Sequence, residues 1–371
     1  MAQSDTRPPK PNQRPQRVDP ILLGALLILA TLFLMFLGLS RGYSPYSLGE
    51  IWSILAGKIH DLSGHILFSP SGAEEARITT IWDVRLPRLL AALFAGAALG
   101  LSGAIFQGIL LNPLSDPYTL GVSSGAAFGA SLVIIFSILL PYESLSFLAY
   151  PLATAVGAFL CSLVTLFLVM LLASDAEGRL PAPNLILAGV IVSAILSAAI
   201  SFMKYLAGDQ VSSIILWLLG SFVAKTWTEA LIVLGFFLPS LFIALFKAMD
   251  LNIMTLGLRS AETLGVNTGR TRLTLLVSAS IAASASVSVA GIIGFVGLIV
   301  PHVVRLLSGP DHRSLLPLSA LGGALLLSAA DLSVRVWLPG EIPVGVLTAL
   351  LAGPAFLVIF RRKMREIARA Y

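Results

Sequence analysis

The sequence predicts an all-α polytopic membrane protein of about ten transmembrane helices, arranged as two inverted five-helix halves. Three observations lead there. Apolar residues make up 57% of the 371 residues and charged residues only 12%, about half the ~25% charge of a soluble domain. Mean hydropathy is +0.91. The apolar residues fall in uncharged runs close to the ~20 residues that a helix needs to cross ~30 Å of hydrocarbon. A soluble core cannot hide that much apolar surface, and barrel strands alternate rather than run apolar without a break. A soluble enzyme, a disordered chain and a disulfide scaffold are excluded. The single cysteine, Cys161, lies within an apolar run and reads as a small packing residue.

Residues 1–19 form a flexible basic tail with Arg7, Lys10, Arg14 and Arg17. Ile21–Leu39 carries no charge and is longer than the ~7–15 residues of a signal-peptide core, so it reads as a retained first span. A mixed-charge outer segment, 41–87, follows. Further spans are expected at 88–110, 118–140, 146–173, 184–206, 228–247, 272–290, 292–308, 314–336 and 342–361, so that 20–371 form one transmembrane domain. The weakest boundary lies at Gly291, and a nine-span reading would move the C-terminus to the other side. Residues 248–271 form a polar loop with helical periodicity, and long ordered loops usually have a task. Gly121, Gly125 and Gly129 in one half answer to Gly291, Gly294 and Gly297 in the other, the faint trace of an inverted repeat.

With ten alternating spans and a cytoplasmic N-terminus, about two-thirds of the 24 Lys and Arg fall on the inner side. That bias places both termini in the cytoplasm. It also accounts for the net charge of +5 without nucleic acid.

Small residues crowd several spans: Gly96, Gly100 and Gly103, then the Ser/Ala run 278–286. They read as close helix packing. The segment Gln107–Pro117 contains Asn112-Pro113 and a second proline. It breaks the helix at the membrane edge and is either a tight turn or the wall of a pathway. Gln107, Lys204, Asp331 and Arg335 lie in or at the ends of spans. Asp331 and Arg335 have the spacing of an intrahelical pair, and Lys204 reads as interfacial. Arg85 and Arg88 flank Pro87 at the outer start of the second span. They could meet headgroups, or the carboxylates of a docking protein. No phosphate-loop motif and no HExxH is present, and His60, His65, His302 and His312 are scattered, so no metal site and no catalytic set is expected. Spans so poor in acid also argue against an ion-gradient-driven secondary transporter, the competing reading.

At this point the sequence closely resembles the permease subunits of ATP-binding-cassette (ABC) importers for iron–siderophore complexes, haem and vitamin B12. The resemblance rests on Arg85-Leu86-Pro87-Arg88, on SGAIFQGILLNPLSDPYTLGVSSGAAFGA at 102–130 and on LILAGV at 185–190. It continues through GFVGLIVPHVVRLLSGPDHRSLLPLSALGGALLLSAAD at 294–331 and Glu341–Gly345. It implies a homodimer in a bacterial or archaeal inner membrane, two cytoplasmic ATPase subunits that hold ATP and Mg, and a periplasmic or lipid-anchored binding protein. No cofactor is implied in this chain. The cargo implied is an Fe(III)-siderophore first, cobalamin or haem next. By position, Arg85, Arg88 and Arg335 would dock the binding protein. Gln107, Asn112, Pro113, Leu114, Asn184 and Leu185 would form the cytoplasmic gate and pathway. Leu256, Gly257, Leu258, Ala261, Glu262, Leu264 and Gly265 would couple to the ATPase. Leu258 stands where that family usually has an acid, a role that Glu262 is positioned to take.

Overall fold

The computed structural model describes residues 17–42, 45–62, 72–139, 151–337, 342–354 and 361. Most of the expected basic tail, the end of the last span and the basic C-terminal residues lie outside these. Among the described residues every regular element is a helix. In order these are α1 (Pro20–Ser40), α2 (Leu48–Leu62), α3 (Gly72–Ile78), α4 (Leu86–Ile109), α5 (Val122–Leu139), α6 (Pro151–Ala173), α7 (Ala182–Leu206), α8 (Val211–Leu218), α9 (Trp227–Phe246), α10 (Ala248–Met254), α11 (Leu258–Thr263), α12 (Thr268–Ala290), α13 (Val296–Ser308) and α14 (His312–Trp337). A last helix, α15, covers Val344–Pro354.

Local chemistry sets the boundaries. Asp19 caps α1 by accepting from the Ile21 N–H at 2.7 Å, with Pro20 in the first turn. Asn267 caps α12 through the Arg270 N–H at 3.0 Å. Thr226 and Glu229 form a capping box at α9. A wide, π-type turn over Thr79–Arg85 joins α3 to α4, so the helix entering the second span begins well before residue 88.

Among the described residues eight helices are long and apolar enough to cross a membrane, and Val296–Ser308 and Val344–Pro354 are shorter apolar helices. Ten apolar helices therefore match the ten expected spans, with one correction. The run at 292–308 yields a helix of 13 residues, only ~20 Å long. The cause is the break after Ala290, where Gly291 (φ 74°) and Phe295 (φ 69°) take left-handed conformations. Non-helical backbone at that depth survives only inside protein, and here two other breaks cover it. Ser221 N–H donates to Ala290 O at 2.7 Å. A Cβ on Gly345 would lie about on the Leu219 and Ile292 carbonyls.

The bundle is built around α4, with α12 and α14 against it. In α4, 83% of the most apolar stretch is buried, against 17% in α1. The close approach needs glycine. A Cβ on Gly103 would fall inside the Gly297 carbonyl, and one on Gly96 inside that of Gly323. In a membrane this proximity replaces the hydrophobic effect as the packing force. The Ser/Ala run of α12 works the same way and adds hydrogen bonds: Ser102 Oγ donates to Ala279 O at 2.8 Å, Ser240 Oγ to Ser278 O at 2.9 Å and Ser286 Oγ to Ala95 O at 3.2 Å.

One ion pair is fully inside. Arg88 on α4 meets Asp331 on α14, with Nη2–Oδ1 at 2.9 Å and Nε–Oδ1 at 3.0 Å; Asp331 is 0% exposed. The expected Asp331–Arg335 pair is thereby corrected. Arg335 instead donates to the Gly38 carbonyl, while Arg85 Nη1 donates to Leu39 O at 2.6 Å and lies 4.8 Å over the Tyr46 ring. Both guanidiniums thus cap the C-terminal turn of α1, where carbonyls lack helical partners.

Two stability predictions follow from the packing. Gly103→Ala must push α4 from α13 and should cost about 1–3 kcal/mol. Gly235→Ala, whose Cβ meets nothing within 4 Å, should be neutral or gain up to about 1 kcal/mol; thermal unfolding in detergent compares them. Asp331→Ala should cost about 3–5 kcal/mol by stranding a buried cation, and adding Arg88→Met should recover part of that loss in the same measurement.

Candidate functional site

Five arginines handle the two ends of the bundle. At the end that carries α10 and α11, Arg272 Nη2 donates to Ile109 O at 2.9 Å and its Nη1 to Leu180 O at 2.8 Å. Arg305 Nη1 donates to Gln107 Oε1 at 3.0 Å. Gln107 Nε2 in turn reaches Leu298 O at 3.1 Å and Gly297 O at 3.3 Å. These cations sit at the negative end of α4. Gln107 is buried and its amide is spent on α13, so within the chain it ties two helices together.

Past Ile109 the chain turns sharply. Leu111 takes a left-handed conformation (φ 50°). Asn112 Oδ1 accepts from Leu114 N–H at 3.0 Å, and Ser115 N–H bonds to Asn112 O. This is an Asx turn, which Asn forms readily before proline. Of the two alternatives for this segment, the local geometry is the tight turn. Asn112, Pro113 and Leu114 remain half-exposed at its tip. Asp116 then caps the short helical turn Pro117–Leu120 through Thr119 N–H at 3.1 Å. Burial pushes its carboxyl up to about 6, against the pull of the Thr119 and Tyr118 N–H groups.

The other expected wall lies at the start of α7. Asn184 is exposed and donates to Ala173 O at 3.3 Å. Leu185 is 0% exposed and belongs to the core of the chain. Arg272 ties the end of α4 to the loop before α7, since its two donors end on Ile109 O and Leu180 O. Sequence reading missed Arg272 and Arg305. The available signal was an arginine inside the first or last turn of an otherwise apolar helix.

The segment 248–271 folds as two short helices, α10 and α11. Gly257 (φ 107°) and Gly265 (φ 85°) stand at the turns before and after α11, where a side chain would be strained. Ala261, Met254 and Val266 form a small buried cluster beneath. Leu256 and Leu264 are 68% and 63% exposed, and Leu258 is also exposed. Glu262 Oε1 accepts from Thr268 Oγ1 at 2.7 Å, tying α11 to the first turn of α12. Lys247 and Asp250 pair at 2.9 Å, and Asp250 also accepts from Thr271 Oγ1 at 3.0 Å. With Phe246, Ile253 and Arg270 they line an open groove of about 700 Å³ beside α11.

At the opposite end, Arg85 and Arg88 are 6% and 7% exposed. Within the chain both side chains turn inward and are engaged, Arg85 on Leu39 O and Arg88 on Asp331. Arg335 is half-buried and also engaged.

This arrangement is a packed bundle with a capped, leucine-bearing helical pair at one end. Comparison with known proteins places it. The profile of the FecCD transport family matches residues 28–362. The hemin transport system permease protein HmuU of Yersinia pestis is 38% identical over 354 residues, 94% of this chain and 98% of that protein. The cobalamin import system permease protein BtuC of Halobacterium salinarum is 39% identical over 297 residues, 80% of this chain and 77% of that protein. A solved metal-chelate type ABC transporter in an inward-facing conformation is similar with a TM-score of 0.76 at 33% identity, covering 92% of this chain and 99% of that one. The chain belongs to the FecCD transport family, the permeases of ABC importers.

Proposed function

We propose that this chain forms, with a second copy of itself, the path by which an ABC importer brings a metal chelate into the cytoplasm by alternating access. Two separate ATPase subunits beneath it would hold ATP and Mg, and a periplasmic or lipid-anchored binding protein would deliver the chelate. An Fe(III)-siderophore is the first cargo to test. Haem and cobalamin come next, and hemin and cobalamin are the cargoes in the names of the two relatives. Both termini would face the cytoplasm.

One observation carries the reading: Leu256, Leu258 and Leu264 stand exposed on a capped helical pair outside the membrane-length helices. Large apolar side chains held out to solvent beside glycine turns are an interface waiting for a partner. ATP-driven closure of the ATPase pair would move this segment as a unit, and packed helices transmit such shifts as discrete rearrangements. An ion-gradient-driven carrier finds no support in the same structure. Its buried acids within the spans are both occupied: Asp331 by Arg88, and Glu229 by Lys225 at 3.2 Å and by its own helix cap.

The test is ATP hydrolysis in proteoliposomes by this chain assembled with its ATPase. The binding protein is added empty or loaded with a ferric siderophore, haem or cobalamin. Stimulation by one loaded form is expected and names the cargo; no response to any of them overturns the cargo assignment. Leu256→Asp with Leu264→Asp should weaken ATPase association at least about tenfold, since each buried leucine contributes about 1.5–3 kcal/mol. Unchanged co-purification would remove the coupling role from this segment.

A further inference from the structure

The leucine-bearing pair hangs from α10, and α10 is fastened to the bundle by one side chain in particular. Asn252 uses its whole amide on the first residues of α14. Its Oδ1 accepts from the His312 backbone N–H at 2.9 Å and lies 2.8 Å from His312 Nδ1; its Nδ2 donates to Asp311 Oδ1 at 2.7 Å. The backbone N–H fixes which amide atom is the oxygen, and so makes Nδ1 the protonated ring nitrogen. The other ring nitrogen, Nε2, is pressed against α4: a Cβ on Gly108 would lie 2.8 Å from it. His312 is 3% exposed. Its ring is therefore wedged between α10 and the end of α4. The same Asp311 Oδ1 also accepts from the Arg313 N–H at 3.0 Å. That N–H, and then the Asn252 amide, hold its carboxyl below the usual range. Two other side-chain ties hold α10 toward the spans, each a single contact: Asp250 accepts from Thr271 Oγ1 on α12 at 3.0 Å, and Met249 Sδ accepts from Arg313 Nη2 on α14 at 3.3 Å.

α14 is the helix most closely packed on α4 through Gly96, Gly100 and Gly323. Its far end carries Asp331, locked to Arg88, about 28 Å along the axis from His312 at 1.5 Å rise per residue. A helix clasped at both ends moves as a rod.

We propose that Asn252, Asp311 and His312 form the joint that passes displacement of the α10–α11 segment into α14, so that Asn252 and His312 are positioning residues for transport. The proposal deepens the importer reading and rests on it. With the joint intact, α10 cannot shift without carrying the first turn of α14. With the amide removed, α10 can move while α14 stays, and hydrolysis runs on without delivering its motion.

The experiment measures uptake and ATP hydrolysis in the same proteoliposomes, with the full complex and the loaded binding protein that stimulates the wild type. Asn252→Ala should lower the uptake per ATP hydrolysed at least about fivefold, the lower range of a coupling energy between sites. His312→Asn, whose amide can donate from near the Nδ1 position, should keep that ratio nearer the wild type than His312→Ala does. If Asn252→Ala fails to assemble, Asn252→Asp, which sets a carboxylate against Asp311, carries the same expectation. An unchanged ratio in these variants, or uptake and hydrolysis falling in parallel, overturns the joint alone. A wild type without ATP-driven uptake overturns the importer reading and the joint with it.

Discussion

The contact of α4 with α14, backbone against backbone, is the constraint on which the rest of the structure depends. Gly96, Gly100 and Gly323 remove the side chains that would hold the two helices apart. In lipid no solvent drives apolar surfaces together, so association rests on dispersion at short range and on hydrogen bonds. The short separation has consequences at both ends. Near one end it brings Arg88 within 2.9 Å of Asp331. At the other it leaves room for the His312 ring only because residue 108 is glycine. A wider crossing would leave a charge unpaired in a medium where that is expensive.

The treatment of cations follows the same physics. A guanidinium in a low-dielectric region needs several acceptors in fixed places. Helix C-termini supply them, because their last carbonyls have no partner within the helix and lie at the negative end of the dipole. Arg85 and Arg335 take those of α1, and Arg272 takes that of Ile109 at the end of α4. Arg88 instead meets the carboxylate of Asp331. Each of these bonds crosses from one helix or loop to another, so the arginines act as clips between elements far apart in sequence.

That is also why the sequence told so much about the bundle and less about its charged residues. Run length and charge asymmetry depend on each segment alone, and they located ten apolar helices, the break at Gly291 and the paired helices within 248–271. The packing role of the glycines was legible because small residues at helical spacing have few other uses in lipid. The partner of a given arginine was not. Asp331 lies four residues from Arg335 and 243 from Arg88; spacing favoured the near one, while helix rotation in the bundle selected the far one. Leu185 and Gln107 likewise sit at helix ends, and their burial within the chain was not legible from spacing. A residue at a helix end reads as accessible until the neighbour that covers it is known. Asn252 and His312 gave no signal at all, since neither is unusual in its own segment.

The two ends of α14 also bear on how such a chain can carry motion without losing its fold. Transmission needs stiffness along the path and compliance beside it. α14 supplies the first, with a polar clasp at Asn252, a glycine-tight seam on α4 and an ion pair at Asp331. The compliance lies in the glycine turns at Gly257 and Gly265, in the non-helical stretch from Gly291 to Phe295, and in the short α13 beyond it. α13 is tied back through Gln107 and Arg305 to α4. α1, buried over only 17% of its most apolar stretch, is held at its C-terminal turn by Arg85 and Arg335. Rigid parts and yielding parts are thus segregated within one bundle, and two discrete arrangements require that segregation, because a packed core does not deform by degrees.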